Sequence, residues 1–161
     1  MKKIMVLAAA AAFMASCQSV KVEPVEPEQN PAEELLPMNI SLDVATKVTD
    51  YEYEYDDKVG LYVVNQPNSL SSFDNHYNNM ELTYQYSWNP SQNMYWYDKI
   101  TPADFYCYYP YASYVDDVFT MPFAVSTDQR DLNALKASDF AWGKASGIYP
   151  TKDPISITTN H

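Results

Sequence analysis

Glycine is almost missing from this chain: Gly60, Gly143 and Gly147 are the only three in 161 residues. A dinucleotide-binding GxGxxG turn or a Walker phosphate loop needs its glycines within a few positions, so neither can be assembled. Cysteine is rarer still, with Cys17 and Cys107 alone, which leaves no disulfide framework and no zinc site of paired cysteines. The two histidines, His76 and His161, stand far apart, and there is no HExxH helix and no GxSxG nucleophile elbow. Positive charge is also short. Ten Lys and Arg face 21 Asp and Glu, for a net charge of −11, and a chain that acidic lacks the cations through which proteins hold nucleic-acid phosphates. No apolar run reaches the ~20 residues that a membrane-spanning helix requires.

The apolar run that does exist is informative. Lys2 and Lys3 precede eleven uninterrupted apolar residues, Ile4 to Met14, and small residues follow. That is the layout of a signal peptide: a positive start, a short hydrophobic stretch and a cleavage site. Met14-Ala15-Ser16-Cys17 resembles a bacterial lipobox, so cleavage is expected between Ser16 and Cys17, with lipid attached to Cys17. Each acyl CH₂ contributes roughly 0.8 kcal/mol to membrane binding, so several chains on one cysteine hold a protein durably. Loss of Lys2 and Lys3 with the leader takes the net charge from −11 to −13. The lipid rather than the protein surface would make the membrane contact.

Residues 18–37 carry four prolines and five glutamates and no aromatic residue. Such a stretch buries too little apolar surface to offset its ordering entropy and reads as an extended spacer. A single domain is expected over 38–161.

Within that domain the hydrophobic pattern has period two. Ile40, Leu42 and Val44 alternate with polar or small residues, as do Tyr51, Tyr53 and Tyr55, and Lys58 to Val64 continues as a β-branched and aromatic run. Gln66 to Asn79 is polar and reads as a long loop that contains His76. Leu82, Tyr84, Tyr86 and Trp88 form one face of a strand. The run from Asn89 to Asn93 is read as its turn, and Met94 to Tyr97 as the return strand. Ala103 to Tyr109 is continuously apolar and aromatic, as a strand buried on both faces would be. Met121 to Val125 and Ile155 to Thr159 are further strands, and Asp131 to Ala137 is the one helical stretch. The class is therefore all-β: an antiparallel β-sandwich, Greek-key-like, with at most one short helix. The expected core is Leu61, Val63, Trp88, Trp96, Phe105, Cys107, Tyr109 and Trp142. Cys107 is read as a small buried apolar residue, not a reactive thiol.

Nothing in the residues argues for catalysis, for a metal or for a cofactor, and a non-enzymatic protein is expected. Fifteen tyrosines have two readings. They fill a small β core and its rim with their hydroxyls wet, or they present ring faces to sugars.

A series of short motifs, taken in order, resembles the fimbrillin family of type V pilus proteins of Gram-negative anaerobes. It runs through Asp57-Lys58-Val59-Gly60-Leu61-Tyr62, Trp88, Trp96 and Asp104-Phe105-Tyr106-Cys107-Tyr108-Tyr109-Pro110-Tyr111. It continues through Asp128-Gln129 and Ser138-Asp139-Phe140-Ala141-Trp142-Gly143, and closes on Ile155 to His161. Cys107 stands where the family pattern usually has Ala. The resemblance implies a β-sandwich lipoprotein at the outer membrane, surface-exposed, structural or accessory to pili and involved in adhesion. Its partners would be other pilus subunits, joined by β-strand addition. Ile40, Leu42 and Val44 have the pattern of the displaceable strand. Lys47, in Ala45-Thr46-Lys47-Val48, sits where many members carry an Arg at which they are processed. Members usually continue into a second β domain, so 38–161 would correspond to the N-terminal half of a longer subunit. The alternative function is a surface glycan-binding or adhesive lipoprotein that uses exposed tyrosines.

Overall fold

A computed structural model describes residues 35–44, 53–128 and 130–160. Seven strands and one short helix follow in the order β1 (Ile40–Val44), β2 (Lys58–Asn65), β3 (Tyr77–Tyr84), β4 (Trp88–Pro90), β5 (Ala103–Tyr109), α1 (Leu132–Ala137), β6 (Ala141–Ile148) and β7 (Ile155–Asn160). All seven join one sheet in the order β1-β7-β6-β5-β2-β3-β4. The sheet curls so that its two ends approach across the core. There the Met38 amide donates to the Met94 carbonyl at 2.9 Å, and the Trp96 amide to that of Leu36 at 2.9 Å. The all-β class with one short helix is what the periodicity predicted. One pairing departs from the antiparallel expectation: β1 runs parallel to β7, Ile40 opposite Ile155 and Leu42 opposite Ile157.

The central strands β5 and β2 organise the core because both faces of each are covered. Inside the curl, Val59, Leu61, Val63, Leu82, Trp96, Phe105, Cys107 and Ile157 are buried together. Trp96 meets Phe105 edge-on at 5.7 Å between centroids and donates its indole N–H to the Thr151 carbonyl at 3.1 Å. A buried tryptophan thus fills volume without leaving its polar atom unpaired. Cys107 is buried as expected, and burial pushes its thiol up to about 12.

On the outer face, Tyr62, Tyr108 and Val115 form a second cluster under the loop that follows β5. Gly60 is needed there: a Cβ at that position would lie 2.1 Å from the Tyr108 ring. The ring crosses β2 and its hydroxyl donates to Asn79 Oδ1 at 2.7 Å. Asn79 has a left-handed backbone (φ 45°), and the pairing of β2 with β3 shifts register between Leu61 and Val63. An extra residue in β3 therefore makes a bulge that turns the Asn79 side chain toward Tyr108.

Six expectations are corrected. Trp142 is 53% exposed, because β6 turns Ala141 and Gly143 inward. A Cβ on Gly143 would already lie 2.6 Å from the Thr158 carbonyl, so that face has no room for an indole. Tyr109 is only partly buried at the edge of the core. The hairpin turns at Gln85–Ser87 and not at Asn89–Asn93, with Tyr84 opposite Trp88. Residues 94–96 pair with 36–38 instead of returning along β3, so Leu36 and Pro37 belong to the folded unit and not to the spacer. Met121 to Val125 forms no strand: Pro122 lacks a ladder donor, and Met121 packs on the outer cluster from a loop.

Candidate functional site: an edge strand and the groove beside it

Of the residues singled out in the sequence, Ile40, Leu42 and Val44 lie on β1, while Ser16, Cys17 and Lys47 lie outside the described residues. Strand β1 is one end of the sheet, hydrogen-bonded among the described strands to β7 alone. Its alternation decides what it buries. Leu42 is buried in the core and Ile40 packs partly against it, whereas Ser41 and Asp43 face away. Burial of a leucine side chain stabilises by roughly 1.5–3 kcal/mol, and among the described side chains of β1 Leu42 and Ile40 make the apolar contact with the core. The parallel ladder to β7 is slightly weaker per residue than an antiparallel one.

Polar groups fix the register of this edge. Thr159, fully buried on β7, donates to the Asp43 carbonyl at 3.2 Å and shares a 2.9 Å hydrogen bond with the Tyr53 hydroxyl. Ser156 donates to Asp43 at 3.0 Å, and Asn39 donates to the Lys152 carbonyl at 3.1 Å. Tyr53 packs edge-on against Trp88 at 4.8 Å and Tyr109 at 5.9 Å. Burial raises its hydroxyl to about 12, so at neutral pH it remains a neutral donor and acceptor.

The other side of β1 opens on a groove of about 780 Å³ that separates it from β4 and the 93–95 segment. Tyr84, Trp88 and Tyr95 contribute aromatic wall, and Asn39, Ser41, Asn89 and Asn93 contribute amides and hydroxyls. Among the described residues no Lys, Arg or His lines it. Tyr86 stands at its rim, 87% exposed, on a left-handed backbone (φ 62°). Sequence reasoning placed Tyr86 in a strand face and missed both its exposure and the groove. Among the described residues no His, Cys, Asp and Glu side chains gather into a group able to hold a metal ion.

The described residues thus define a class of fold: a curled β-domain whose terminal strand β1 lies beside an open groove. The comparisons give that class its family. Residues 46–161 match the profile of the fimbrillin-like proteins, and the chain belongs to that family. Three solved structures share the fold. A fimbrial protein from Bacteroides ovatus superposes with a TM-score of 0.57 and 22% identity, covering 78% of this chain and 28% of that one. A candidate cell adhesion protein from Bacteroides uniformis gives 0.59 and 20%, covering 80% and 48%. Another from Bacteroides ovatus gives 0.57 and 14%, covering 81% and 53%. The chain thus spans between about a quarter and about half of these longer proteins. Among curated proteins none matches it significantly.

Proposed function

We propose that this chain is the N-terminal domain of a non-enzymatic, lipid-anchored surface subunit of type V-like pili, structural or accessory, that serves adhesion and joins its neighbours by β-strand addition. The leader ending at Ser16-Cys17 supplies the outer-membrane anchor, residues 18 to about 34 the spacer, and the β domain the assembly unit. The observation that carries the reading is the place of β1. It is a terminal strand with one neighbour, it plugs the core through Leu42 and Ile40, and it precedes Lys47 by a few residues. Cleavage after Lys47 would sever β1 from the rest of the chain. A strand from another subunit with the same alternation could then pair with β7 and fill the Leu42 and Ile40 positions. Backbone bonds would give that contact its affinity and the alternating pockets its specificity.

The test is strand replacement. The purified chain is cut with a lysine-specific protease and incubated with a fluorescent peptide of residues 38–46, or with the same peptide carrying Leu42→Asp. Uptake of the first peptide and not the second supports the proposal. Failure of cleaved protein to take up either, while it remains folded by circular dichroism, refutes it. For the anchor, Cys17→Ser should shift the protein from the membrane fraction to the soluble one.

A further inference from the structure

Strand exchange at β7 does not use the groove on the far side of β1, nor does it use the exposed tyrosines. Two of these tyrosines are held together. Tyr86 forms the tip of the β3–β4 turn, and its ring lies 5.6 Å from that of Tyr55, which is 57% exposed. Both backbones are anchored. The Asp56 amide donates to the Tyr84 carbonyl, and the Tyr84 amide to that of Asp57, each at 2.8 Å. Gln85 reaches Asp56 Oδ1 at 3.4 Å. Asp56 (φ 70°) and Tyr86 (φ 62°) both occupy the left-handed region. For a bulky side chain that conformation is an outlier, and such strain persists where the surrounding structure over-determines it, often at ligand sites. Here it positions an aromatic pair in solvent.

We infer that the Tyr55–Tyr86 pair and the groove it borders form a binding site for a neutral oligosaccharide. The ring faces supply a stacking surface for the C–H face of a pyranose. The groove supplies the hydroxyl partners: the Asn93 amide and the Ser41 hydroxyl hydrogen-bond to no described residue, and Asn39, Asn89 and Asp43 retain further capacity. The volume of about 780 Å³ falls within the ~300–1,000 Å³ typical of small-ligand sites. Charge selects among glycans. With no cation and one carboxylate, Asp43, among the described lining residues, and a net charge of −11 on the chain, a sialylated or sulfated sugar would find no partner for its charge there. A peptide strand fits this groove less well, because β4 is three residues long and ends in Pro90, which has no N–H for a ladder.

The experiment is a glycan array probed with the intact chain, carrying neutral, sialylated and sulfated oligosaccharides, followed by calorimetry with the best-retained neutral glycan. The expected result is retention of neutral glycans alone. Tyr86→Ala should weaken binding about tenfold or more, a loss of the size of one well-formed contact. Tyr86→Phe should keep it, and Asn93→Ala should weaken it. Trp142→Ala, which removes an exposed aromatic on the outer face of β6, should leave it unchanged. Retention of no neutral glycan at millimolar concentration overturns the site, as does equal weakening by Trp142→Ala or capture of a strand peptide in the groove. The two readings are separable: Tyr86→Ala leaves uptake of the 38–46 peptide intact, and the uncleaved chain, whose own β1 stays in place beside the groove, binds the glycan without any strand exchange.

Discussion

Strands β5, seven residues long and apolar almost throughout, and β1, five residues long and alternating, were both legible as strands, yet the fold treats them differently. β5 has a neighbour on each edge, β2 and β6, and side chains covered on both faces: Phe105 and Cys107 inward, Tyr108 outward. β1 has one neighbour, a parallel ladder and a single face in the core. A strand's contribution to stability is therefore set by what flanks it more than by its own composition. Apolar alternation identifies a strand, but it does not say whether that strand is a keystone or a removable stave.

The contrast is sharpest under truncation. Phe105→Ala should cost about 3–5 kcal/mol, a large share of a small domain's stability. Leu42→Ala should cost less, ~2 kcal/mol at the low end of buried leucine truncations, because the β1 edge can adjust around the vacancy. Denaturant unfolding of the two variants checks this, and equal losses would erase the distinction between centre and edge.

Alkaline titration probes the centre next. Burial holds the Cys107 thiol and the Tyr108 and Tyr53 hydroxyls up at about 12, and burial together with nearby Asp57 pushes Tyr109 up as well. Since folding raises these values, the folded state keeps protons that the unfolded chain releases. The stability they contribute is complete below pH ~9 and is lost as the pH rises from there toward 12. Equilibrium unfolding between pH 8 and 12 should show a progressive loss, whose onset moves from about 9 toward 10 in Cys107→Ala. A flat profile would mean that the β5 region is not closed to water.

These particulars show what the sequence made legible. Strands β2, β5 and β7 were visible because their apolar residues are large and regularly placed. β6 was not, because its inward positions are Ala141, Gly143 and Ala145. Small residues leave little hydrophobic signal, and the one large residue nearby, Trp142, faces outward. The β3–β4 turn was hidden by parity: with Tyr84 opposite Trp88, three turn residues leave 84, 86 and 88 in step, so period two runs unbroken through the reversal. The candidate edge strand was legible from its own alternation. Its parallel partner and the groove beside it were not, since both depend on residues more than a hundred positions away or on the curl of the whole sheet.

The smallest expected effect follows from that turn. Glycine adopts φ 62° without steric penalty, so Tyr86→Gly should change stability by less than about 1 kcal/mol, and by thermal melting the variant should be no less stable than the parent. The same variant should lose glycan retention. A marked drop in melting temperature would show that the Tyr86 ring holds the fold together and is not a presented surface.

The central claim is that β1 is a separable edge on a stable sheet, and hydrogen–deuterium exchange of the intact chain tests it most directly. Regions that open without global unfolding exchange through that local opening. The account predicts that amides of Ile40–Val44 exchange at least about a hundredfold faster than those of Ala103–Tyr109 at neutral pH, an opening cheaper by ~2.7 kcal/mol. Equal protection of the two strands would contradict it, because β1 would then leave only when the whole domain unfolds.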